Sequence, residues 1–81
     1  MTDDEFDKLD ENAKAYFLFA SGTYIATRVD KEQYILLYQL DDFYVEIFHN
    51  LVDNSVQMIK SFSDIDNLNP YLEQLNIHGF L

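Results

Sequence analysis

Eighty-one residues suffice for one domain around one hydrophobic core. Fifteen Asp and Glu stand against five Lys and Arg, a formal net charge of -10 at pH 7, yet 48% of the chain is apolar and 16% aromatic, which excludes intrinsic disorder. Cysteine is absent, excluding a disulfide framework and a thiolate metal site, and the cations Lys8, Lys14, Arg28, Lys31 and Lys60 are scattered singly, which argues against direct nucleic-acid binding and against anionic membranes.

The amino terminus, MTDDEFDKLDE, is acidic where a secretory signal carries basic residues and then an apolar run, and no apolar stretch approaches the roughly 18 residues that span a bilayer. A soluble, cytoplasmic protein is expected. Residues 3–20 read as one helix: Thr2 and Glu5 have capping-box spacing, and Asp3, Asp4 and Glu5 suit the positive end of the helix dipole. Phe6, Leu9, Ala13, Tyr16, Phe17 and Ala20 fall on one side at a period of 3.6, and Gly22 supplies the stop. Leu18 and Phe19 lie off this stripe, so the last turn is apolar nearly all round, as deep burial or contact with a second chain requires.

From Thr23 the period changes to two, in segments rich in Tyr, Ile, Val and Thr. Strands are expected at 23–29, 33–40, 43–49 and 55–62. The joints are Asp30-Lys31-Glu32, Asp41-Asp42 and the segment around Asp53-Asn54, short enough to imply an antiparallel meander. Asp41-Asp42 lacks the Gly that tight hairpins favour, so a bulge is anticipated there.

Pairing Leu40 with Phe43 sets Tyr38 opposite Val45, Leu36 opposite Ile47 and Tyr34 opposite His49. Strict alternation adds Ile25, Thr27 and Val29 from the first strand, and Leu51, Val56, Met58 and Phe62 around the last, with Lys60 a charged exception on that face. The opposite face then carries Arg28, Gln39, Glu46, Gln57 and Ser61 between Tyr24, Ile35, Leu37, Tyr44, Phe48 and Ile59. Six large apolar residues on a second face need a cover. Asn69-Pro70 opens a short helix with Asn as cap, Tyr71, Leu72 and Leu75 on it and Gly79 as its stop. Two turns make a small lid, so part of this face is expected to be intermolecular.

The fold class expected is therefore α+β: a four-stranded antiparallel β-meander with an N-terminal helix on one face and a short C-terminal helix, in the order α-β-β-β-β-α. Chemistry is harder to find. His49 and His78 are the only imidazoles and sit on different elements, so neither a metal site nor another cofactor is expected. Asp64-Ile-Asp66 begins like a calcium loop, but Leu68, Asn69 and Leu75 occupy positions where that loop needs a ligand, Gly and Glu; a turn and helix cap fit better. Asp41, Asp42 and Glu46 cluster near a hairpin tip, but acid-base work by paired carboxylates needs a cleft, and a hairpin tip is usually exposed. Glu46, mid-strand between Tyr44 and Phe48, would need Arg28 or Lys60 if its face were buried. Tyr24, Tyr44 and Phe48 are interleaved like a base-stacking platform, yet no basic groove accompanies them.

These features point to a non-enzymatic protein-interaction module acting as a homodimer, with Leu18, Phe19, Tyr24, Ile35, Leu37, Tyr44, Glu46, Phe48 and Ile59 as its candidate surface. One alternative is an acidic nucleic-acid mimic that occupies a basic protein partner, since six of the fifteen acids fall in the first eleven residues. Another is a small ligand-binding domain with a pocket at a subunit interface.

Overall fold

The computed structural model describes the backbone of residues 1–77 and the side chains of residues 1–73. The Leu75 side chain, His78 and the stop expected at Gly79 lie outside the described residues. Two short helices, α1 (Asp3–Asp7) and α2 (Glu11–Ser21), precede four strands, β1 (Thr23–Asp30), β2 (Gln33–Leu40), β3 (Phe43–Asn50) and β4 (Val56–Phe62). A 3-10 turn, Ile65–Leu68, leads into α3 (Asn69–Ile77). The strands form one open antiparallel sheet in the order β1-β2-β3-β4, so the expected α+β meander is the observed one. None of the helices described is long and apolar enough to cross a membrane.

The N-terminal segment differs from the single helix expected. Its capping box forms, with the Glu5 N–H donating to Thr2 Oγ1 and the Thr2 N–H to Glu5 Oε1. The helix nevertheless breaks after Asp7, because Asp10 takes an extended backbone (φ -73°, ψ 171°) and accepts a hydrogen bond from the Ala13 N–H at 2.8 Å. An aspartate in this geometry caps a new helix rather than continuing the old one. The break rotates α2, burying Leu18 against the sheet and leaving Tyr16 and Phe19 outside. Gly22 ends α2 with its N–H on Leu18 O; a Cβ here would sit 2.6 Å from that oxygen, so the chain can turn into β1 this tightly only with glycine.

Sheet register matches expectation for the central hairpin, where Leu40 pairs with Phe43, Tyr38 with Val45, Leu36 with Ile47 and Tyr34 with His49. The Asp41-Asp42 joint holds this regular register without a bulge; Asp41 absorbs the turn in a left-handed conformation, φ 53°, which Asp tolerates better than most residues. Bulges occur elsewhere. Tyr24 pairs with Tyr38 and Ala26 with Leu37, which makes Ile25 the extra residue in β1. Phe48 pairs with Met58 and His49 with Val56, which makes Gln57 the extra residue in β4.

Each bulge reverses the facing of everything beyond it. Tyr24 and Ile59 therefore lie on the same face as Tyr38 and Ile47, not on the opposite face where strict alternation puts them. Met58, Lys60 and Phe62 move the other way, to lie beside Phe48, Glu46 and Tyr44. Ser61, now on the helix side, donates to Asp7 Oδ1 at 2.6 Å, and Ser63 donates to Asp3 Oδ2 at 2.7 Å, fastening α1 over β4.

Two clusters fill the two sides of the sheet. Beneath α1 and α2, Phe6, Leu18, Leu40, Phe43 and Val45 are buried together, with the Phe6 and Phe43 rings 5.7 Å apart. On the other side Leu37, Phe62 and Tyr71 are buried, flanked by Ala26, Tyr44 and Leu68. Removing a fully buried phenyl ring leaves a cavity that a small domain cannot fill, so Phe6→Ala should lower unfolding free energy by about 3–5 kcal/mol, whereas Phe19→Ala should change it by less than about 0.5 kcal/mol. Urea denaturation of both variants checks this; equal losses would contradict the helix break at Asp10.

Candidate functional site

The second sheet face is closed by the chain itself. Ile35 and Leu37 are 0% and 1% exposed and Glu46 is 5% exposed, so three residues expected on an intermolecular surface are interior. Tyr44 and Phe48 are half-buried beside them. The lid is better fitted than its two turns suggested. After Asp64 caps the 3-10 turn through its bond from Asp66 N, Asn69 already has helical backbone angles, and Tyr71 is delivered onto the sheet.

Glu46 fixes the lid there. Its Oε2 accepts from the Tyr71 hydroxyl at 2.7 Å and from Arg28 Nη2 at 3.4 Å, joining α3, β3 and β1 at one oxygen. Arg28 also lies over the Tyr71 ring, 5.3 Å from its centroid, and its Nη1 is 3.8 Å from Asp30. Of the two cations available in the sequence, Arg28 is the partner. Lys60 is directly across the strand pair from Glu46 but turns to solvent. Glu46 is thus engaged, through Oε2, in holding the fold.

Burial, and then the hydrogen bond and charge of Glu46, raise the Tyr71 hydroxyl pKa well above its ordinary 10.0, while Arg28 pulls it the other way. A group whose pKa rises on folding contributes all its stability below the unfolded value and loses it as pH climbs through the folded value.

The helix side of the sheet is where surface remains open. Its positions are Tyr24, Thr27 and Val29 from β1, Tyr34, Leu36, Tyr38 and Leu40 from β2, Phe43, Val45, Ile47 and His49 from β3, and Val56, Ile59 and Ser61 from β4. None is Asp, Glu, Lys or Arg. The helices cover the rows at Leu40 and Val45, and the core beneath them takes in Ile47 and Ile59 of the Leu36 row; Thr27 and the row at Tyr34 run on beyond. There His49 stacks on Tyr34 with centroids 4.6 Å apart, and Val29 and Val56 are exposed. Between this bare end and the exit of α2 lies an open groove of about 330 Å³, lined by Ala15, Leu18, Phe19, Gly22, Tyr24, Tyr38 and Ile47.

Three candidate residues, Leu18, Phe19 and Tyr24, therefore meet in this groove, while Ile59 packs beside it against the helix-side core. Leu18 supplies its buried floor. Phe19 stands at the lip, 92% exposed, and Tyr24 is 53% exposed with its hydroxyl 2.6 Å from Thr27 Oγ1. Tyr38 and Ile47, expected on the inward face, do pack against the helix-side core, and their remaining exposed edges line the groove. Sequence reasoning missed Tyr71 as the partner of Glu46; a tyrosine opening a helix that must land on a sheet with a buried carboxylate was the available signal. Among the described residues no group of three His, Cys, Asp or Glu is placed to hold a metal ion.

Comparison with protein-family models, curated proteins and solved structures found no match.

Tyr71→Phe should cost about 1–2 kcal/mol at neutral pH, and Arg28→Met, which strips Glu46 of its cation, about 3–5 kcal/mol. Above about pH 10 the wild type should lose its advantage over Tyr71→Phe by up to about 1.4 kcal/mol per pH unit, read from urea unfolding at a series of pH values. A wild-type advantage that stays constant through alkaline pH would contradict the buried Tyr71–Glu46 bond.

Proposed function

We propose that this chain is a non-enzymatic protein-interaction module that docks a folded partner on the bare end of the helix-side sheet face and the groove beside Phe19. The observation that supports this reading most directly is Phe19 itself, a phenylalanine 92% exposed at the mouth of an apolar groove. A large aromatic side chain left in water beside such a groove is the composition of an interface anchor. The continuous uncharged face beyond it, with Val29 and Tyr24 both more than half exposed, extends the surface to the size typical of functional patches.

Other readings draw less support. The groove has the volume of a small-molecule site, but only tyrosine hydroxyls bring side-chain polar groups to it, too few to orient a metabolite. A nucleic-acid mimic needs free carboxylates spaced along a surface. Here Asp3, Glu5, Asp7, Asp10, Asp30, Asp41, Glu46, Asp53 and Asp64, nine of the fifteen acids, are each engaged in a cap, a turn, an ion pair or a serine hydrogen bond.

A photo-crosslinking phenylalanine derivative placed at Phe19 should form protein adducts in cells producing this chain, and the same group at exposed Gln39 on the other face should not. Mass spectrometry of the adducts reads the result. Equal labelling from both positions, or none from Phe19, would count against a docking surface here.

A further inference from the structure

Resting on that reading, we infer that the occupant of this surface is a second copy of the same chain, related by a two-fold axis, with Phe19 of each copy seated in the groove of the other. Around a two-fold axis a surface meets itself, so every charge near the axis faces its own like. A chain of net charge -10 can satisfy that condition only by clearing its carboxylates from one region. It does so twice over: the helix-side sheet positions carry no charged residue, and residues 12–29, which supply α2, the groove lip and β1, contain no Asp or Glu. A basic partner would be recognised by the opposite arrangement, carboxylates set into the contact surface.

Shape supports the same occupant. A self-complementary interface needs a projection and a matching recess on one surface, and Phe19 and the groove adjoin. The recess, about 330 Å³, exceeds the roughly 150 Å³ that suffices to hold a benzene ring, so a phenyl group enters without displacing Tyr24 or Ile47. Area agrees as well. The exposed parts of Phe19, Tyr24, Val29 and Val56 with the half-buried rows between them offer apolar surface on the order of 500 Å². A standard interface takes about 800 Å² from each partner, some 65% of it apolar in homodimers, which is about the same amount.

The acids beside the bare end are at its rim, Asp30 at the end of β1, Glu32 in the turn after it and Asp53 in the turn before β4, while Asp7 is bonded to Ser61 at the covered end. They repel weakly across a two-fold contact, and salt screens them. Self-association must therefore strengthen with salt, whereas docking of a basic protein would weaken.

Sedimentation equilibrium of the purified chain up to about 500 µM, in about 50 mM and about 500 mM NaCl, tests the inference. The expected result is a monomer–dimer equilibrium, tighter in high salt. Phe19→Asp should weaken it about tenfold or more, with an unfolding midpoint equal to the wild type's at dilutions where both are monomers, and Tyr24→Asp should weaken it too. Phe19→Tyr, which keeps the ring, should restore most of the association. A monomer at the highest concentration in both salts, a dimer that loosens as salt rises, or a dimer indifferent to both aspartate variants would overturn the inference. A monomer whose Phe19 crosslinks another protein in cells would overturn the second copy alone; a monomer with no Phe19 adduct would remove the docking surface as well.

Discussion

One carboxylate oxygen decides how this sheet is dressed. Glu46 stands in the third strand of four, where water would ordinarily reach it, and instead it is enclosed with Arg28 from the first strand and Tyr71 from the last helix. Burying an unpaired carboxylate costs several kcal/mol, so the charge is tolerable only while both partners are in place. That condition brings α3 down onto the sheet at one position and angle. Ile35, Leu37 and Phe62 become interior as a result. An all-apolar face would have allowed the helix to slide; a shared oxygen with two donors does not.

Closing that side determines what the other side can be. A four-stranded sheet presents two faces, and α1 and α2 are too short to cover the whole of theirs. Helix α1 is fastened over β4 by Ser61 and Ser63, and α2 buries Leu18 above Leu40 and Val45. The row at Tyr34 and the Thr27 end of the row at Leu36 are left outside both helices. The acidity of the chain, which looks uniform in composition, is therefore unevenly placed: many carboxylates cap helices, close turns or anchor α1, and the helix-side sheet face has none. Charge placement and uncovered apolar surface coincide there, and the interaction proposal draws on that coincidence.

Much of the fold was legible in the amino-acid order because alternation and turn chemistry agree. The change of period at Thr23, the turn residues at three joints and the apolar alternation of Tyr34 to Phe48 specify a meander and the register of its central hairpin. The need of Glu46 for a cation was legible too, since a carboxylate between Tyr44 and Phe48 has few other ways to be buried. What alternation does not carry is a bulge. Ile25 and Gln57 each insert one residue, and each moves its neighbours to the other face, so Tyr24, Ile59, Met58 and Phe62 were assigned to the wrong sides. The break at Asp10 acts similarly on the helix, moving Leu18 inward and leaving Phe19 outward. Ile35, Leu37 and Glu46, expected on an open surface, are thus interior, while Leu18, Phe19 and Tyr24 meet at the groove.

The most direct measurement is a dilution series followed by two-dimensional amide NMR with residue assignments. The account predicts concentration-dependent shifts confined to Phe19, Tyr24, Thr27, Leu36 and Ile47 and their neighbours on the helix side, with Ile35, Leu37 and Glu46 unchanged. Shifts centred instead on Ile35, Leu37, Phe48 and Met58 would place the contact on the face that α3 closes, and would contradict it.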